Sequence, residues 1–174
     1  RDVAKRRDVS KAALSKPPEV PRTRERGTSK ADGPTDTARD LSPAIRSEVD
    51  ARLSRGEALV KERRFVQALL ELESALGRLP KPEDKWPSAT RIYALMGEAY
   101  FQLGDFKEAV HYMTCALECP NGIGDPFFLL RCGQALFELG EMERARQSLT
   151  SAYLGGGEAL FANEDPKYLA AATK

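Results

Sequence analysis

From Leu41 onward the apolar positions recur every three or four residues, the period of helices with one buried face. Four places read as helix starts: Ser42-Pro43, Trp86-Pro87-Ser88, Asp125-Pro126 and Asp165-Pro166. At most of them a hydroxyl or carboxylate stands before a proline at the first helical position, where no amide donor is missed. The first helix is predicted over AIRSEVDARLSRGEALVKER, and the second over FVQALLELESALGRL, stopping at Pro80. Gly155-Gly156-Gly157 predicts a helix stop, followed by a short turn and a last helix from Pro166. Leu160, Phe161, Tyr168 and Leu169 are expected to cover whatever precedes them. No alternating, β-rich segment interrupts the pattern, so the body is predicted to be all-α.

The pattern repeats. Gly56, Gly97 and Gly133 each have a large apolar residue three positions on, namely Leu59, Tyr100 and Leu136. Twelve positions on stand Ala68, Ala109 and Ala145, sixteen on Leu72, Met113 and Leu149, and nineteen on Ala75, Ala116 and Ala152. Small residues at fixed offsets let antiparallel helices approach closely, while the large ones fill the grooves between neighbouring pairs. One pair cannot bury its apolar face alone, so pairs stack into a solenoid. Gly104-Asp105 and Gly140-Glu141 fall where a tight helix-to-helix turn belongs, with the glycine tolerating a positive φ.

MGEAYFQLGDFKEAVHYMTCALECP resembles the tetratricopeptide repeat: Met-Gly-x-x-Tyr, then Gly-Asp-Phe, Ala, Ala-Leu and a closing Pro. CGQALFELGEMERARQSLTSAY carries most of the same positions. RGEALVKERRFVQALLELESALGRLP is the weakest copy, with Arg63-Arg64 in place of Gly-Asp. The resemblance covers about residues 46–154 and implies a right-handed α-solenoid of three helix-turn-helix pairs with a C-terminal capping helix. The repeats are expected at about 46–80, 88–120 and 125–154, with a capping segment at 158–174. The marker glycines are 41 and 36 residues apart, against a family period of about 34. The surplus falls in KPEDKWP and NGIG, which are expected to protrude as junction loops, with Trp86 plugging the edge of the first two repeats.

Composition adds a tail and removes several function classes. Residues 1–40 hold eleven Lys/Arg against seven Asp/Glu and very little apolar surface, which predicts a disordered, basic tail. The remainder holds sixteen against nineteen, leaving a formal net charge of +1 for the chain. No global field steers the protein to nucleic acid or an anionic membrane. No apolar run approaches the roughly 18 residues that would span a bilayer. Cys115, Cys119 and Cys132 are odd in number and lack a CxxC, which fits reduced thiols and a cytoplasmic setting. The first residue is not Met, so residue 1 reads as a fragment boundary, a processed end or an unusual start.

The candidate chemistry is thin. Gly122 and Gly124 form a GxG, but no strand precedes them and no Gly-Lys-Ser/Thr follows, so a phosphate loop is not expected. His111, Cys115 and Cys119 share a helix face at steps of four. The outer two are about 12 Å apart along the axis, too far for one ion. His111 has no evident triad partner. No catalytic residue, metal site or cofactor is expected.

What remains is the groove that the resemblance implies along the first helices of the pairs. Carried over by offset, its lining is Leu53, Glu57 and Val60, then Arg91, Ala94, Glu98 and Phe101, then Phe127, Leu130, Arg131, Gln134 and Phe137. The last nine are the expected partner-binding positions, with Phe101 and Phe137 at equal offsets forming an apolar site. Some members of the family hold a C-terminal carboxylate with Lys and Asn. Leu53, Glu57 and Leu95 stand at those positions and only Arg131 remains, so that activity is not expected. The resemblance implies a non-catalytic module, an adaptor or dedicated chaperone, that takes a protein or peptide segment in its groove. Type III secretion chaperones of bacteria are similar in size and repeat number, although the polar tail departs from them. A structural repeat domain within a larger protein or complex is the other alternative, and the sequence leaves homo-oligomerisation open.

Overall fold

The computed structural model describes residues 41–173, and the expectation for the tail at 1–40 lies outside the described residues. Seven α-helices follow one another among them: α1 (Pro43–Lys61), α2 (Phe65–Leu76), α3 (Pro87–Leu103), α4 (Phe106–Glu118), α5 (Pro126–Glu138), α6 (Met142–Gly156) and α7 (Pro166–Ala172). Short 3-10 turns occupy Glu83–Lys85 and Glu158–Phe161. The pairs are α1/α2, α3/α4 and α5/α6. Each pair packs on the next, and α7 closes on α6. The described body is a helical solenoid, as the period implies.

Three of the four predicted helix starts have their capping bonds. Ser42 Oγ accepts from the Ile45 amide at 3.3 Å. Asp125 Oδ1 accepts from the Phe127 and Phe128 amides at 2.9 and 3.1 Å. Asp165 Oδ1 accepts from the Lys167 amide at 3.0 Å. Trp86 provides no side-chain cap to α3. Its indole instead donates to the Pro80 carbonyl at 2.7 Å, closing the first junction loop on itself.

The marker glycines are the contact points of the pairs. A Cβ on Gly56 would lie 2.7 Å from Leu72 Cδ2, one on Gly97 2.8 Å from Met113 Cγ, and one on Gly133 2.7 Å from Leu149 Cγ. Each glycine thus meets the residue sixteen positions later in its own repeat. All six alanines at the two small-residue offsets are 0% exposed. Close approach replaces water around both helices with dense packing, worth roughly 25 cal/mol per Å² of apolar surface buried.

The turns within the pairs share a backbone conformation but not a residue. Gly104 and Gly140 have φ of 77° and 79°, and Arg63 has φ of 60° at the equivalent position. The left-handed region costs a side chain roughly 1–2 kcal/mol, so the first repeat's departure from Gly-Asp is strained. Two glycine expectations need refinement. Gly155 and Gly156 do not stop α6, which ends at Gly156, and only Gly157 leaves the helical region, with φ of 68°. The first two are small for packing reasons, since a Cβ on them would meet Pro126 at 2.9 Å and Leu160 at 2.8 Å respectively.

Candidate peptide-binding face

The first helices α1, α3 and α5 are linked by polar contacts at one offset, the residue after each marker glycine. Glu57 pairs with Arg91 of the next first helix. Glu98 Oε2 stands 2.6 Å from Arg131 Nε. Gln134 Nε2 donates to Glu164 Oε2, in the segment before α7, at 2.8 Å. Arg131 joins the last two contacts by donating from Nη1 to Gln134 Oε1 at 2.8 Å, and it lies 3.6 Å from Glu164 Oε2. The Glu98–Arg131 contact is a close ion pair whose buried atoms are not aligned as a hydrogen bond. Charge attraction between desolvated groups carries it rather than directionality.

The same guanidinium lies over two rings, 4.6 Å from the centre of Phe101 and 5.3 Å from that of Phe127. Asp125 and Pro126 start α5 one residue before Phe127, and Arg131 follows one turn later. This spacing puts ring and cation on the same side of α5. Phe101 also meets Phe106 of its own repeat edge-on, at 5.5 Å. Phe101, Phe127 and Arg131 are therefore brought together, with Glu98 beside them.

Three of the nine predicted partner-binding residues present little surface. Leu130 is 1% exposed, Arg131 7% and Gln134 0%. The expectation that they face outward is corrected by the C-terminal segment and α3, which cover them. Arg131 is committed to Glu98, Glu164 and the two rings, so it is not an open anion-binding group. Phe127 remains 40% exposed and the Arg91 side chain 65% exposed. Ala94, Glu98, Phe101 and Phe137 are half-buried. Leu53 is buried, and Glu57 and Val60 are half-buried.

Phe101 and Phe137 do not share one site. Phe137 meets Tyr168 of α7 edge-on at 5.5 Å, and Lys167 Nζ lies 5.8 Å from its ring centre. Next to it, Glu138 Oε1 accepts from the Tyr168 hydroxyl at 2.7 Å and from Lys167 Nζ at 2.8 Å. The Lys167 and Tyr168 donors hold the Glu138 carboxyl below its ordinary range. Burial, with Glu138 as acceptor, pushes the Tyr168 phenol up to about 12. Tyr168 and Leu169 as cover residues were legible from sequence. Glu164, Lys167 and Glu138 were not, because their partners lie about thirty residues away and helical periodicity has no term for them.

The remaining candidates take structural places. A Cβ on Gly122 would lie 1.8 Å from the Ala116 carbonyl oxygen, so the first glycine of the GxG allows the loop to cross the end of α4. His111 Nε2 lies 3.9 Å from Cys115 Sγ, and Cys119 is buried at the end of α4. Burial pushes the Cys115 thiol up to about 11, away from the reactive thiolate. Among the described residues no group of three or more His, Cys, Asp and Glu could hold a metal ion. No described helix is long and apolar enough to cross a membrane.

Stacked antiparallel pairs with a small-residue seam and a closing helix define the class of α-solenoid proteins. Within that class the stacking is like that of tetratricopeptide repeats, and one pair, residues 90–118 spanning most of α3 and α4, matches the family model for the tetratricopeptide repeat. The fold is also similar to that of the Yersinia enterocolitica type III secretion chaperone SycD, solved in complex with a peptide of the translocator YopD. That match has a TM-score of 0.55 at 14% sequence identity, covering 72% of this chain and 90% of the other. No curated protein matches the sequence.

Proposed function

We propose that the protein is a non-catalytic binding module, an adaptor or dedicated chaperone, that holds a segment of another protein along the face of its first helices. The observation that carries this reading is the open part of that face. Phe127 and Arg91 are exposed there, and Phe101 and Ala94 lie half-buried beside them. Arg131 holds the Phe101 and Phe127 rings from behind, so the aromatic surface is pre-ordered and little entropy is lost when a partner docks. Such a surface suits an extended or helical segment with an apolar anchor.

The solved likeness, SycD, binds a translocator peptide on the same kind of fold, which supports a peptide partner here. A secretion-type chaperone is the narrower form of the same reading, and a cytoplasmic location accords with it. Affinity capture from the native cell tests the proposal, with the unaltered chain compared with a Phe127→Ala, Arg91→Ala variant. Both residues are exposed enough for the variant to fold. A partner retained by the unaltered chain and lost by the variant supports the reading, and equal retention overturns it.

A further inference from the structure

The third repeat's end of the first-helix face is already occupied, and the occupant is part of the chain. Residues 166–169, Pro-Lys-Tyr-Leu, lay an aromatic ring against Phe137 and two donors on Glu138. Glu164 just before them accepts from Gln134. We propose that Gln134, Phe137 and Glu138 form a second peptide site, for a segment with a lysine followed by an aromatic and an apolar residue. The chain's own α7 then sits in it as an internal competitor. The inference rests on the reading of this face as peptide-binding.

Three features support displacement. α7 has seven residues, far short of the length at which a helix is stable in water, so it is helical only while docked. The preceding turn has an anchor of its own on α6, where the Phe161 ring meets Tyr153 at 6.2 Å, although Phe161 also shares a buried cluster with Tyr168 and Ala172 of α7. Release of α7 after Ala162 would leave the Phe161–Tyr153 contact in place while uncovering part of Phe161. On the α6 side, α7 has one side-chain hydrogen bond, from Thr150 Oγ1 to the Ala172 carbonyl at 2.9 Å. The surface uncovered includes Leu149 and Ala152, which an incoming segment must cover again with apolar side chains. An intramolecular segment acts at an effective concentration near the millimolar range, so a competitor must match its chemistry closely.

A fluorescent peptide of sequence NEDPKYLAAAT provides the test, added to the full chain and to a full-chain Lys167→Ala, Tyr168→Ala variant. The variant should bind the peptide at least about tenfold more tightly than the unaltered chain, from the lost charge-assisted contacts. A peptide with the same two positions changed to Ala should lose binding. Equal binding by both proteins, or none by a variant with native helix content, overturns the proposal. Hydrogen exchange on the unaltered chain is the independent measurement if that variant unfolds. Amides of 169–172 should exchange faster than those of α5, through local opening. Protection equal to that of α5 overturns it. Neither measurement uses the Phe127 surface, so this inference can fail while capture through Phe127 and Arg91 stands.

Discussion

Arg131 and Glu98 form the more deeply buried charge contact between successive repeats, with Nε 2.6 Å from Oε2 and the arginine side chain 9% exposed. The arginine also faces Glu164, so two carboxylates depend on one cation. Arg131→Ala should destabilise the chain by about 3 kcal/mol, the usual cost of orphaning a buried charge. Arg131→Lys should recover only part of this, because an ammonium cannot both fork to Glu98 and Gln134 and stack on two rings. Urea denaturation of the three proteins checks the order.

The marker glycines should not be equivalent. A Cβ on Gly56 meets only the Leu72 side chain, which can rotate away. On Gly97 and Gly133 it also comes within 3.2 and 3.1 Å of a backbone nitrogen, of Met113 and Leu149 respectively. Gly97→Ala and Gly133→Ala should each cost about 2–3 kcal/mol through overpacking, and Gly56→Ala about 1 kcal/mol. Thermal unfolding of the three single variants separates them.

Arg63→Gly should stabilise the protein by about 1 kcal/mol. Arg63 takes a φ of 60° where the other repeats use glycine, and relief of that strain exceeds the added entropy of the unfolded chain. A raised midpoint in denaturant supports this, and a lowered one refutes it.

The docking of α7 should weaken in acid. Glu138 titrates below its ordinary value of 4.5, because Lys167 and Tyr168 donate to it. Its contribution is therefore complete above that value and is lost as the pH falls through the lowered one. Asp165, lowered by the Lys167 amide, acts with the same sign. Protection of the α7 amides, corrected for intrinsic exchange, should hold between about pH 7 and 5 and fall below about pH 4. Glu138→Gln should remove much of that dependence and cost about 0.5–1 kcal/mol at neutral pH, as a solvent-screened contact.

Much of the architecture was readable from the residues, for local reasons. Asp125-Pro126 starts a helix because the carboxylate caps the amides of Phe127 and Phe128, both within three positions. The columns through Gly97, Ala109, Met113 and Ala116 identified the pair interface, because close packing repeats at every pair. The candidate face was less legible. Offsets placed Phe101 and Phe137 in one column, yet one ring lies under Arg131 and the other against Tyr168. Offset reports which side of its own helix a residue occupies, and says nothing about what the next repeat or a closing segment lays over it.

The sequence by itself thus determined the all-helical repeat, its seam of small residues and its capped starts, all products of spacing within one repeat. Tertiary structure decided which face residues stay open. Arg131 is drawn inward because two carboxylates, one thirty-three residues before it and one as far after, meet at its guanidinium. Phe137 is partly covered because α7, too short to persist alone, gains its helix by docking there. Long-range electrostatics and the folding of a short segment on a ready surface depend on how the repeats stack, and periodicity does not carry that information.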